Sequence, residues 1–286
     1  MRAGKILKKV KYMKIVTLIE NTSPSAKLFC EHGLSLYIET KDHRMLFDTG
    51  ASGNFIKNAH ELGVDLQSVD MVIISHGHSD HGGGLSSFLK TNDKAKIYLH
   101  ARALDYYYAQ RPDSREQYIG LDRDVIKGGQ FIFTIDGFVV DKSIQLFADV
   151  EKRRLYPSGN KSLFKEEGGK LVQDDFLHEQ NCLIEEGGKK VLLAGCAHNG
   201  IANILDKVYE EKGCMPTHVI GGMHLYNPSL QESEDSSNIE ELAKILLQTG
   251  AQYYTCHCTG EESYKKLKTI MGDKIEYLST GSVLVI

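Results

Sequence analysis

An apolar run of strand length, Met71 to Ile74, leads into Ser75-His76-Gly77-His78-Ser79-Asp80-His81, then Gly82 to Gly84 and a helix-like segment from Leu85 to Lys90. This unit constrains the chain more than any other stretch. A buried strand delivers the backbone to one spot, and a short turn brings three imidazoles and a carboxylate together within six positions. Those are the ligand types that zinc or ferrous iron prefers. Chance seldom places H-x-H-x-D-H behind a buried strand, and surface histidines satisfied by hydrogen bonds are the weaker reading. The stretch is expected to hold metal.

The same arrangement recurs. Arg44 to Phe47 reads as a strand ending in Asp48-Thr49-Gly50, with a helix from about Asn54 to Leu62. Lys190 to Ala194 ends in Gly195-Cys196-Ala197-His198, and His218 to Ile220 ends in Gly221-Gly222-Met223-His224. Gln252 to Thr255 runs to His257. Helices are expected from about Ile201 to Lys212 and from Asn238 to Gln248, where Ile239, Leu242, Ile245 and Leu246 keep a helical period up to Gly250. Strands alternating with helices after initial hairpins predict an α/β fold with the candidate ligands at one end of the sheets. Residues 14–286 read as a single domain, with 100–175 as an insertion of helix and hairpin over one edge.

The 286 residues are 41% hydrophobic and 25% charged, an ordinary balance for a protein with a substantial core. Arg2, Lys5, Lys8, Lys9 and Lys11 make residues 1–13 a basic extension, continued by Lys14 at the start of the first strand. The rest of the chain carries 28 basic against 38 acidic residues, a net −10 that argues against a nucleic-acid partner. No apolar leader or membrane-length run is present, so no membrane role is expected. Six cysteines without a disulfide-framework spacing predict reduced thiols and a cytoplasmic protein.

These motifs resemble the metallo-β-lactamase superfamily. Asp48 in Leu46-Phe47-Asp48-Thr49-Gly50 matches its first motif, and His76, His78, Asp80 and His81 its second. His178 and Gly195-Cys196 stand at its third and fourth, and His257 at its fifth. The resemblance implies a four-layer αββα sandwich with two divalent transition metals at one edge, zinc first and iron or manganese as alternatives. The fourth motif usually supplies a bridging aspartate where this chain has Cys196, itself a good zinc ligand as a thiolate. Glu31-His32-Gly33, His178-Glu179-Gln180, Gly195-Cys196-Ala197-His198-Asn199-Gly200, Gly221-Gly222-Met223-His224 and Cys256-His257-Cys258 are similar to one subgroup. It is labelled after a dihydropterin–ribofuranosylaminobenzene phosphate synthase.

The resemblance implies roles for each residue. His76, His78 and His178 would hold one metal, and Asp80, His81 and His257 the other, with Cys196 or His198 at the second. Asp80 could also orient an activated water, and Asp48 would accept an imidazole N–H behind the ligands, or else cap the following helix. His198 and His224 are candidates to donate to a substrate oxyanion or phosphate. Gly82 to Gly84 would bring a helix start close to the metals, or simply make a tight turn. Cys256 and Cys258 read as core thiols, and His32, His43, His60, His100 and His218 as surface or structural. Tyr106 to Tyr108 with Arg111 and Arg115 suggest either a substrate entrance or, by preference, a solvated helix.

The expected function is a metal-dependent hydrolase-type enzyme using activated water on an ester, phosphate or diphosphate of a small anionic substrate. A transferase joining a dihydropterin-methyl diphosphate to an arylamine is the alternative, and a non-catalytic ligand sensor a third. His78, where a di-iron oxygen-reducing branch carries a carboxylate, argues against that chemistry. Association into an oligomer stays open.

Overall fold

The structure, a computed structural model, describes residues 12–286. The basic residues Arg2 to Lys11 of the expected extension lie outside the described residues. Two seven-stranded sheets form the centre. The first runs in the order Val283–Val285, Lys14–Ile19, Ser35–Glu39, Arg44–Phe47, Met71–Ile74, Lys96–His100, Phe131–Thr134. The second runs Ile275–Tyr277, Gln252–Thr255, His218–Gly221, Lys189–Ala194, Asn181–Glu186, Ile144–Phe147, Phe138–Val139.

Period-two alternation along these strands sorts side chains into separate apolar layers. Met45, Phe47, Met71 and Ile73 point to the inside of the first sheet, where they meet Cys182, Ile184, Val191 and Leu193 from the second. Leu46, Val72 and Ile74 point the other way, onto Phe55, Ala59, Leu85 and Phe88 of the helices Asn54–Glu61 and Leu85–Thr91. Leu183, Leu192 and Val219 cover the outer face of the second sheet under the helices Ile201–Lys212, Ser236–Gln248 and Glu261–Met271. Helix, sheet, sheet and helix are therefore stacked in the expected αββα order. Each buried Val, Leu, Ile or Phe removed from water in these layers contributes about 1.5–3 kcal/mol, so the sandwich frame is set by its apolar faces.

The 100–175 segment does not form one excursion. Phe131–Thr134 pairs in parallel with Lys96–His100, and Ile144–Phe147 pairs with Asn181–Glu186, so both belong to the central sheets. Tyr107–Gln110, Glu116–Tyr118, Leu163–Glu167 and Lys170–Gln173 form a separate four-stranded sheet. The helix expected around Tyr106 to Tyr108 is a strand, Tyr107–Gln110, with Tyr107 buried and Tyr108 partly exposed, tyrosine being a good strand former.

Lys14–Ile19, Arg44–Phe47 and Met71–Ile74 point the same way, as do Lys189–Ala194, His218–Gly221 and Gln252–Thr255 in the second sheet. Their C-terminal ends, Glu20-Asn21, Asp48, Ser75-His76, Cys196, His224 and His257, supply the side chains of a single site. Gln180 fastens the two sheets there. Its backbone N–H donates to Ser75 O at 2.7 Å, its Nε2 to Ile74 O at 2.7 Å, and its Oε1 accepts from Thr134 Oγ1 at 2.6 Å.

Candidate metal centre and active site

Four of the inward histidines, His76, His81, His198 and His257, are oriented from behind. Ser75 Oγ donates to Asp48 Oδ2 at 2.7 Å, which leaves its lone pair to accept the His76 Nδ1–H at 2.8 Å. His81 Nδ1 donates to Asp48 Oδ2 at 2.7 Å, His257 Nδ1 to Asn21 Oδ1 at 2.8 Å, and His198 Nδ1 to Asn160 Oδ1 at 2.9 Å. A proton fixed on Nδ1 turns the Nε2 lone pair toward the centre, the arrangement that metal-binding imidazoles use. His76 Nε2, His78 Nε2 and His198 Nε2 are buried without a protein partner. A buried polar atom left unpaired costs about 1–3 kcal/mol, so three of them converging call for a ligand.

Groups of donor atoms lie within 4.8 Å of one another in overlapping sets: His76–His78–His198, His76–His81–Cys196, Cys196–His198–His224, Cys196–His257–Cys258 and His32–Asp80–His257. Cys196 Sγ sits 3.2 Å from His81 Nε2, and Asp80 Oδ2 lies 3.5 Å from His81 Nε2 and 3.3 Å from His257 Nε2. Nitrogen, thiol sulfur and carboxylate at this spacing suit a first-row transition metal. The residues present fit one.

His178 departs from expectation. Its Nδ1 accepts the Gly77 N–H at 2.8 Å, and its Nε2 donates to Asp174 Oδ2 at 3.1 Å, so neither nitrogen is available to a metal. The strand that follows begins only at Asn181, and the chain before it turns at Phe176, where φ is +52°. That turn holds His178 beside Asp174 four residues back. His198 takes the place next to His76 and His78, its ring stacked on Phe176 at 4.4 Å.

Asp48 is fully buried and serves no helix cap. Gly53 stands at the N-terminus of Asn54–Glu61, and Asp48 Oδ1 accepts the Ser75 N–H at 2.7 Å. Cys258 is no core thiol. The chain leaves its strand for a 3₁₀ turn at His257–Thr259, which swings Cys258 beside Cys196, while Cys256 stays between the sheets. His32, read as a surface residue, has its Nε2 3.4 Å from Asp80 Oδ2 and its ring 4.7 Å from that of His257. Gly83 and Gly84 are needed for close packing, because a Cβ on them would lie 2.4 Å from Ala51 O and 2.2 Å from Thr49 O.

Three positioning residues went unread in the sequence. Glu20, fully buried, accepts the His257 N–H at 2.7 Å and the Tyr277 hydroxyl at 2.6 Å. Glu179 accepts the backbone N–H groups of His198 at 2.5 Å and Asn199 at 3.0 Å. Asn160 clasps His198 at both ends, through Nδ1 and through its carbonyl at 2.7 Å. Glu20 follows the strand Lys14–Ile19 as Asp48 follows Arg44–Phe47, a parallel that was readable. Asn160 lies in a loop with no such mark.

Burial and clustering set the charges. Burial first, then neighbouring imidazoles, hold His76 and His198 well below the usual histidine range and push His78 down to about 3. Burial opposes the charge on His81, but Asp80 and Asp48 outweigh it and raise its pKa to about 9. Burial likewise opposes ionisation of Asp80, yet His81, His257 and His32 keep it well below the carboxylate range. Burial raises the Cys196 thiol well above its ordinary value, so a thiolate there depends on a cation beside it.

A cavity of about 340 Å³ opens onto these groups, with His78, Asp80, His198 and His224 among its walls. Both ring nitrogens of His224 are buried without a partner, and its ring is 4.2 Å from that of His198. Backbone φ is positive at Asp48, Ala197, His224 and His257, strain that costs roughly 1–3 kcal/mol per residue and persists only where the surroundings enforce it.

The metallo-β-lactamase superfamily model matches residues 28–244. A Methanocaldococcus jannaschii protein described as a 7,8-dihydropterin-6-methyl-4-(β-D-ribofuranosyl)-aminobenzene-5′-phosphate synthase is 28% identical, across 96% of this chain and 97% of its own. An uncharacterized protein of the same organism is 29% identical across 90% of this chain and 94% of its own. A crystal structure described as a metal-dependent hydrolase of the β-lactamase superfamily matches with a TM-score of 0.82 at 31% identity, covering 96% of this chain and 99% of that one.

Proposed function

We propose, from the premise that this chain belongs to the metallo-β-lactamase superfamily, that it is a zinc-dependent enzyme acting on a small anionic ester, phosphate or diphosphate. The observation that carries this reading is the set of buried nitrogens of His76, His78 and His198 that lack a hydrogen-bond partner, with the His78 and His198 rings lining the cavity. Those three rings would hold one ion, and Asp80, His81 and His257, with Cys196 close by, would hold a second. Divalent ions so held supply Lewis acidity, lowering the pKa of water toward neutrality and polarising a substrate oxygen.

The chain's own groups do the rest. Asp80 is ionised and 21% exposed to the cavity, so its carboxylate can accept a proton from an attacking water and hold that water in line. His224, with no protein partner on either nitrogen, is placed to donate to an oxygen on which negative charge develops. Phe176, buried and stacked on the His198 ring at 4.4 Å, helps hold that ring in place.

A transferase reading is favoured by the synthase relative, whose likeness extends over 96% of this chain rather than over the metal motif alone. An arylamine would then replace water as nucleophile and diphosphate would leave. A zinc-reconstituted preparation assayed on phosphodiesters, thioesters, lactones and a pterin-methyl diphosphate, with and without an arylamine, separates the readings. Cleavage products formed with water alone (a phosphomonoester and alcohol, an acid and thiol, a hydroxy acid, or a pterin alcohol and diphosphate) mark the hydrolase, and a carbon–nitrogen bond formed only with the amine marks the transferase. Ligand binding without turnover of any class would sink both in favour of a sensor. A cytoplasmic location belongs to the same reading. Among the described residues no helix is long and apolar enough to cross a membrane.

A further inference from the structure

The separate sheet of Tyr107–Gln110, Glu116–Tyr118, Leu163–Glu167 and Lys170–Gln173 borders the cavity and contributes Ala109, Gln117 and Leu163 to its walls. With them comes one cation, Arg111. Its guanidinium is fixed on two sides by neutral acceptors, Nε to Gln117 Oε1 at 2.7 Å and Nη1 to Ser229 Oγ at 2.6 Å. No carboxylate among the described residues pairs with it, whereas Arg115 four residues on pairs with Asp113 at 3.8 Å. The acids are also unevenly placed. Asp80 is the one carboxylate lining the cavity among the described residues, and it sits at the metal end. The lining beyond Arg111 is neutral and polar: Ser229 accepts from Arg111 and keeps its own hydroxyl proton, while Asn227 Nδ2 donates to Gly159 O at 3.0 Å and Ser162 Oγ at 2.8 Å.

A half-buried guanidinium, braced by two bonds but lacking a counter-ion, faces an enclosed space whose other end holds the metal ligands. Guanidinium forks match phosphate oxygens, and hydroxyl and amide donors complete such a site. We propose that Arg111 recognises a phosphate group of the substrate remote from the bond that reacts, with Ser162, Asn227 and Ser229 beside it. The substrate class narrows accordingly to molecules with two anionic ends, one reacting at the metal centre and one held beside the small sheet. This rests on the reading of the cavity as the active site, and holds equally for hydrolase and transferase.

The probes are butane-1,4-diphosphonate, which has an anion at each end, and butylphosphonate, which has one. Binding of each to zinc-loaded wild type, Arg111→Gln and Arg111→Lys is measured by titration calorimetry, with thermal melts to verify folding. The diphosphonate is expected to bind wild type about tenfold or more tightly than the monophosphonate, the size of a charge-assisted contact. Arg111→Gln should bring the two within about twofold by weakening only the diphosphonate, and Arg111→Lys should keep part of the difference. An unchanged ratio in Arg111→Gln, or equal affinities in wild type, overturns the assignment to Arg111 while leaving zinc-dependent monophosphonate binding intact. Monophosphonate binding that is the same with and without zinc overturns the reading of the metal centre instead.

Discussion

Asp48 Oδ2 lies 2.7 Å from His81 Nδ1, and the same oxygen receives the Ser75 hydroxyl that in turn orients His76. One carboxylate thus sets the rings of two candidate ligands assigned to two different ions. Replacing it should act on both. Asp48→Asn keeps the shape but weakens the acceptor, and is expected to lower zinc affinity about 10- to 100-fold. Competition against a chelator of known affinity measures this. Wild-type affinity in the variant would show that the imidazoles hold their orientation without Asp48.

His198 and His178 respond differently to truncation. His198→Ala removes a free Nε2 from the centre and should cost most of an equivalent of bound metal by elemental analysis. His178→Ala leaves the Gly77 N–H and Asp174 Oδ2 without their hydrogen bonds in a buried place and should lower stability by about 1–3 kcal/mol with metal retained. The reverse pattern, metal lost with His178 and kept with His198, would falsify the ligand assignment.

Cys196 should make the second ion the more weakly held. A thiolate seldom bridges as a carboxylate does, and its bond to zinc is longer, ~2.3 Å against ~2.0–2.2 Å for oxygen. One ion is therefore expected to leave first under chelation, and sooner after mild oxidation of that thiol. Cys196→Asp should slow this loss. Cobalt-substituted wild type should show sulfur-to-metal charge-transfer absorption that Cys196→Asp lacks. If that absorption persists in the variant, Cys258 carries the sulfur ligation.

Metal-free protein should be most stable near pH 6.5. His81, raised to about 9, stabilises the fold fully below its unfolded value of 6.5 and loses that contribution as pH climbs toward 9. His76, His78 and His198 are depressed, so they favour the fold above 6.5 and oppose it below, when the unfolded chain takes up protons that the buried rings refuse. These three rings, together with His32 (pushed down to about 4, by burial first) and the depressed Asp80, act on the acid side against His81 and His43 on the alkaline side, so denaturant midpoints should fall more steeply in acid, each arm worth on the order of a few kcal/mol. Asp48→Asn should flatten the alkaline arm. A midpoint that rises steadily from pH 6.5 to 9 in metal-free wild type would contradict the raised His81.

Much of the fold was legible because it rests on local pattern. Alternating apolar residues in Arg44–Phe47, Met71–Ile74 and Lys189–Ala194 place one set between the sheets and the other under helices. Strands ending in glycine or a polar ligand announce where the site lies. The Tyr106 to Tyr108 stretch was misread because tyrosines on a half-exposed strand leave no clear period, and its pairing partner, Leu163–Glu167, is more than fifty positions away.

The sequence by itself determined the ligand chemistry and the edge at which it gathers, since strand periodicity and the H-x-H-x-D-H turn are properties of neighbouring residues. The tertiary structure alone decided which imidazole joins His76 and His78, which nitrogen each ring offers, and that Arg111 reaches the same cavity. Those outcomes depend on contacts of about 3 Å between segments far apart in the chain. His198 is oriented by Asn160, His257 by Glu20 and Asn21, and Arg111 by Ser229. No local pattern records such pairings, because they form only when both sheets and the small sheet have closed around the site.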